Sequence, residues 1–249
     1  MASKPCRHAT YTSTLGAVSR TRRVVVKIAK LSGGGGTSPL NQSALGTPAP
    51  ISPACAADWN AFCRAVINYE THIHPLWSLD RAVLDLNGMP VLDGNNEPLN
   101  YTCTGCHTDT DDDGATQIPA RQLDLTDGLS GQEATLFKAY VELLFNDNEQ
   151  ELVNGALIDT LVDSDEIERD EDGEPILDAG GNEIPILVNV NVPSAMSTNG
   201  ARASGRFMSK FQPGGVHDGF LEPAEMKLIA EWLDLGAQYY NNPFDAPED

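Results

Sequence analysis

Tyr101-Thr102-Cys103-Thr104-Gly105-Cys106-His107 carries a C-x-x-C-H pattern. Two thiols one helical turn apart can add to the two vinyl groups of a porphyrin, and the adjacent imidazole can then reach the iron from below. The stretch therefore predicts one covalent haem on Cys103 and Cys106, with His107 as proximal ligand. A dithiol redox pair would need a βαβ setting and an electropositive thiol, whereas Asp109, Asp111, Asp112 and Asp113 follow at once. A structural zinc site would need a second ligand pair, and neither the Cys55/Cys63 spacing nor any His-x₃₋₅-His supplies one.

Outward from the motif, residues 58–81 place Trp59, Phe62, Val66, Ile67 and Ile73 at spacings that predict a helix interrupted before Pro75. Residues 131–145 predict another through Leu136, Tyr140, Leu143 and Leu144, and residues 202–211 a short one grouping Phe207, Met208 and Phe211. A last helix starts at Pro223, buries Met226, Ile229, Trp232 and Leu233, and ends at Gly236. Asp85-Leu-Asn-Gly88-Met-Pro90-Val-Leu-Asp93 and Asp170-Glu-Asp-Gly173-Glu-Pro175-Ile-Leu-Asp178 share the pattern D-x-x-G-x-P-[VI]-L-D and read as hairpins. The expected fold is mainly α: a cytochrome c-like helical haem domain with two β-hairpin insertions, near 83–100 and 160–192, and a mostly irregular N-terminal arm.

That arm, residues 1–50, holds a short β-prone run at Val24–Val26, then four glycines and a Ser/Thr/Pro-rich linker, so the domain is expected over 51–249. No secretion signal is legible in it, because Lys27 and Lys30 break the apolar run. Over 249 residues, 16 basic against 36 acidic side chains leave a net charge of −20. This excludes the basic footprint of nucleic-acid binding and points toward protein partners with basic patches. No stretch is apolar enough to span a membrane.

Three further phrases flank the motif: Ile67-Asn-Tyr69-Glu-Thr-His72-Ile-His74-Pro-Leu-Trp77, Gln122-Leu-Asp124-Leu-Thr-Asp127-Gly128, and the closing run from Leu221 to Tyr240. Together with the motif, over roughly residues 65 to 245, they resemble the cytochrome c module at the C-terminal end of hydrazine synthase alpha-subunit-like proteins, and more loosely the monohaem modules of planctomycete-type cytochromes. The resemblance implies a small helical cytochrome that often closes a larger secreted protein. It does not import the synthase chemistry.

His217, in the Gly-rich loop Gln212-Pro-Gly-Gly-Val-His217, is the first candidate for the sixth iron ligand, and the family phrase also carries a His there. Met208 and His72 are the alternatives, a thioether giving a higher potential than a second imidazole. Cys55 and Cys63 are the remaining close pair and a candidate disulfide, which suits the periplasmic or extracellular location that covalent haem attachment requires. Asp109, Asp111 and Asp113 match early positions of a calcium loop, but Ala120 stands where a bidentate Glu belongs. The expected function is one-electron transfer by a monohaem c-type cytochrome with two imidazole ligands and a low potential. It is an electron carrier rather than a catalyst, with a larger assembly or homo-oligomer as context. A haem enzyme or a small-ligand haem module is the alternative.

Overall fold

Asn68 accepts the Thr71 N–H on its side chain and so caps a single π-helical turn, Tyr69–Ile73, after which Pro75 opens helix α2. The computed structural model describes residues 45–94 and 96–241, so the readings on residues 1–44, including the β-prone run and Cys6, lie outside it. The α-helices are α1 (Pro53–Ala57), α2 (Pro75–Ser78), α3 (Lys138–Leu144), α4 (Gly205–Met208) and α5 (Pro223–Asp234). The strands are β1 (Asp147–Asn148), β2 (Gln150–Val153), β3 (Ala156–Asp159), β4 (Leu161–Ile167), β5 (Pro185–Asn189) and β6 (Asn191–Val192). They pair antiparallel as β1 with β6, β2 with β3, and β4 with β5.

The core forms where the Tyr69 turn, α3 and α5 meet. Tyr69, fully buried, packs at 5.0 to 5.5 Å from the rings of Tyr140, Trp232 and Tyr239. Ile67, Ile73, Leu76, Trp77, Leu143, Leu228, Ile229 and Leu233 fill the space around them. Each such side chain contributes about 1.5–3 kcal/mol of burial. The polar ends of the aromatics are satisfied within the core: Trp77 Nε1 donates to Tyr69 Oη and Tyr140 Oη donates to the Ala237 carbonyl. α5 begins with a reciprocal cap, Glu222 accepting from the backbone of Glu225 while Glu225 accepts the Glu222 N–H. Glu225 also holds Arg81 through both carboxylate oxygens, at 3.0 and 3.2 Å, and so ties α5 to the segment whose backbone bonds Tyr101 and the Thr102 hydroxyl, next to Cys103.

The mainly helical expectation is corrected by this architecture, in which five short helices share the described residues with antiparallel hairpins. Residues 58–68 are not helical, and as far as Cys63 the reason is the disulfide between Cys55 and Cys63, whose Cα atoms are 5.6 Å apart. Eight residues of α-helix would separate those atoms by about 12 Å. Trp59 and Phe62 accordingly face solvent. Helix α3 starts at Lys138 rather than in the 131 region, since Ser130 Oγ takes the N–H groups of Gln132 and Glu133 into a local turn. In α5 the buried face is Leu228, Ile229, Trp232 and Leu233, with Met226 only partly covered.

Among the described residues one aspartate-headed turn is used five times. In Asp85–Gly88, Asp93–Asn96, Asp111–Gly114, Asp170–Gly173 and Asp178–Gly181 the aspartate carbonyl accepts the N–H of the residue three further on. In each the same side chain's Oδ1 accepts the N–H four residues on. The fourth residue sits at φ between 68° and 85° in all five, which is why Gly, or once Asn, occupies it. Strands on either side then bridge, as Leu84 to Pro90 and Arg169 to Pro175.

Candidate functional site

Cys103–Gly105 forms one 3₁₀ turn, closed by the N–H groups of Cys106 and His107 donating to the Cys103 carbonyl. Both thiols are half-buried. Burial pushes the Cys103 thiol up to about 11, with Arg81 pulling the other way and Glu225 adding to the rise. A thiol held protonated at neutral pH is a poor exchange nucleophile, which disfavours a dithiol oxidoreductase.

His107 is pinned from two directions. Its carbonyl accepts the Leu125 N–H at 2.9 Å, and its ring Nδ1 lies 3.0 Å from the Leu123 carbonyl. A carbonyl only accepts, so Nδ1 donates to it, which fixes the tautomer and the angle of the ring. Gln122-Leu123-Asp124-Leu125 is thus a scaffold for the imidazole, a role that periodicity could not reveal.

His217 lies on the loop between α4 and α5. Its N–H donates to the Lys210 carbonyl at 2.8 Å, and its ring sits between Phe211 and Phe220 at centroid distances of 5.3 and 5.0 Å. Phe220 stacks in turn on Tyr101 at 4.0 Å, joining the loop to the chain two residues before the cysteine turn. The His107 and His217 ring centroids are 6.2 Å apart with planes at 68°. The loop can fold back this closely only because position 215 is glycine: a Cβ there would fall 2.2 Å from the Lys210 carbonyl oxygen.

The other candidate donors are elsewhere. His72 lines a separate cleft of about 440 Å³ with Cys55, Phe62 and Arg64, its Nδ1 held by the Asn68 backbone, and burial lowers its pKa. Met208 closes α4, partly buried beside the core. In the acidic turn the Asp111 carboxylate accepts the N–H groups of Asp113 and Ala115, and Asp109 accepts from Thr110 and faces Lys138. Behind the scaffold lies a buried ionic cluster that sequence reading missed. Lys138 bonds Asp124 at 3.0 Å and lies 3.6 Å from Glu142, which accepts the Asp124 N–H.

No family model, curated protein or solved structure matches the chain. The expected function is corrected. Among the described residues no three His, Cys, Asp or Glu side chains converge as a metal-holding group, and the cysteine pair at bonding distance is Cys55–Cys63. A low-potential, single-electron carrier with a preformed centre is not what this arrangement builds. No helix among the described residues is long and apolar enough to cross a membrane. The Cys55–Cys63 disulfide indicates an oxidising, non-cytoplasmic compartment.

Proposed function

We propose that Cys103, Cys106, His107 and His217 form an attachment site for one tetrapyrrole cofactor, a haem, the two cysteines being the tethers and the two imidazoles the ligands. The observation that carries the reading is the separation of the two rings. Two imidazoles that held one ion between them, each at a metal–nitrogen distance of about 2 Å, would have their ring centroids about 6 Å apart. The rings here are 6.2 Å apart. His107 and His217 would be the two side chains that hold the metal of such a group, and Cys103 and Cys106 would tether it. When bound, a haem supplies the reactive iron.

The chain's own residues do the rest. The Leu123 carbonyl fixes the His107 tautomer and ring angle, Phe211 and Phe220 pack beside the His217 ring, and Arg81 with Glu225 steadies the cysteine turn. The resemblance of the flanking phrases to hydrazine synthase alpha-subunit-like cytochrome modules supports the same reading, with the periplasm or cell exterior as the place of attachment. A net charge of −20 favours partner proteins with basic patches. The test is production of the full chain together with a haem c maturation system, followed by denaturing electrophoresis and haem staining. The stain is expected to survive acid-acetone extraction and to vanish in Cys103→Ala/Cys106→Ala. A band that loses its haem on extraction overturns the proposal.

A further inference from the structure

Resting on the reading of His107 as a ligand, one further assignment follows from the atoms behind it. The Leu123–Asp124 peptide group has both its ends engaged: its carbonyl oxygen accepts from His107 Nδ1, and its N–H donates to Glu142 Oε2. The amide is therefore the one covalent unit between the imidazole and a buried carboxylate. We propose that Glu142 is a positioning residue whose charge is relayed through this peptide group to His107, setting how strongly Nδ1–H is drawn toward the Leu123 oxygen and hence how basic Nε2 is.

The physics is the polarisation of an amide. An anion at the N–H end increases the negative charge on the carbonyl oxygen of the same group, and hydrogen bonds in series strengthen one another where the surroundings are of low dielectric. A stronger acceptor at Nδ1–H raises the donor strength of the opposite ring nitrogen, which is how outer groups tune metal-bound histidines. The surroundings suit such a relay. Asp124 is 1% and Glu142 9% exposed, so solvent screening is small.

The charges facing Glu142 are Lys138 on its own helix, 3.6 Å away, Asp124 from the scaffold segment, and Asp147 from β1, while Asp109 faces the far side of Lys138. Burial is the largest influence and raises the Glu142 carboxyl to about 7. The Asp124 N–H and Lys138 act against the rise, and Asp124 and Asp147 act with it. Glu142 thus changes charge within the neutral range, so the relay is switchable there. Lys138 is itself held above its ordinary range: burial pulls it down, but Asp124, Glu142 and Asp109 outweigh that.

The test uses the full chain without added cofactor, so it stands or falls apart from the haem reading. The ¹⁵Nδ1 and Hδ1 resonances of His107 and the ¹³C resonance of the Glu142 carboxyl are followed by NMR between pH 5.5 and 8.5. In the wild type the His107 signals are expected to move with the same midpoint as the Glu142 carboxyl. In Glu142→Gln, which keeps an oxygen to accept the Asp124 N–H, that movement is lost, and in Glu142→Asp it returns. Lys138→Met, which removes the facing cation, shifts the Glu142 and His107 midpoints upward together. His107 signals that keep the wild-type pH response in Glu142→Gln, or that fail to follow the Glu142 midpoint in the wild type and in Lys138→Met, overturn the relay.

Discussion

Replacing Arg81 by Met removes one partner of a buried ion pair while keeping most of the aliphatic stem. The side chains are 11% and 3% exposed, and the guanidinium makes two bonds to the Glu225 carboxylate and a third, of 2.9 Å, to the Leu76 carbonyl. Without it the Glu225 carboxylate stays buried with the Glu222 N–H at 2.8 Å as its chief compensation. Leaving a buried charge in that state costs about 3–5 kcal/mol. For a chain of 249 residues, each kcal/mol moves the melting temperature by about 2–4 °C, so Arg81→Met should melt about 6–20 °C lower. Urea unfolding at pH 7, followed by circular dichroism and tryptophan fluorescence, reads the same loss as a lower midpoint at an unchanged slope. Arg81→Met/Glu225→Gln should recover most of it, because no lone charge remains. A single substitution costing under about 1 kcal/mol, or a double variant as unstable as the single, would refute the claim that this pair ties α5 to the segment bonded to Tyr101 and Thr102.

Three other outcomes are expected. Gly215→Ala should displace the His217 loop, because its Cβ would lie 2.2 Å from the Lys210 carbonyl oxygen; a lost nuclear Overhauser contact between the His107 and His217 rings, with about 1–3 kcal/mol of destabilisation, checks this. Cys55→Ser/Cys63→Ser should lower stability by about 2–3 kcal/mol in urea under non-reducing conditions, the loop-closure value for a bridge spanning a sequence separation of 8. Glu142, raised from 4.5 to about 7 on folding, binds more protons in the native state than in the unfolded one across that interval. Its contribution is therefore full below pH 4.5 and lost as pH rises through 7, about 3 kcal/mol in all, and the slope of stability against pH between 5 and 7.5 should flatten in Glu142→Gln.

Local chemistry made some of this legible and hid the rest. The Cys103–His107 pattern fixes its own spacing, and Pro223 with Glu225 announces the start of α5, because those signals act within one turn of chain. The helix expected over residues 58–81 fails because apolar spacing is indifferent to a bridge that pulls Cys55 and Cys63 together. The acidic run at Asp109–Asp113 resembles a solvated stretch, yet the Asp111 carboxylate accepts the N–H groups of Asp113 and Ala115; two of the five copies of this turn stood out in sequence because a proline stands two residues after the glycine. Lys138, Asp124 and Glu142 were invisible as a cluster, since a helix face and a distant extended segment meet only in the fold. The same holds for Leu123, whose carbonyl, not its side chain, orients His107.

The most direct measurement is mass spectrometry of the tryptic peptide 82–121, taken from full-length protein made with a haem c maturation system, since that peptide contains Cys103, Cys106 and His107 and ends at Arg121. Attachment at this site predicts the peptide plus the mass of one haem, with neither cysteine open to alkylation. Recovery of the peptide at its bare mass, with both cysteines alkylated, would contradict it.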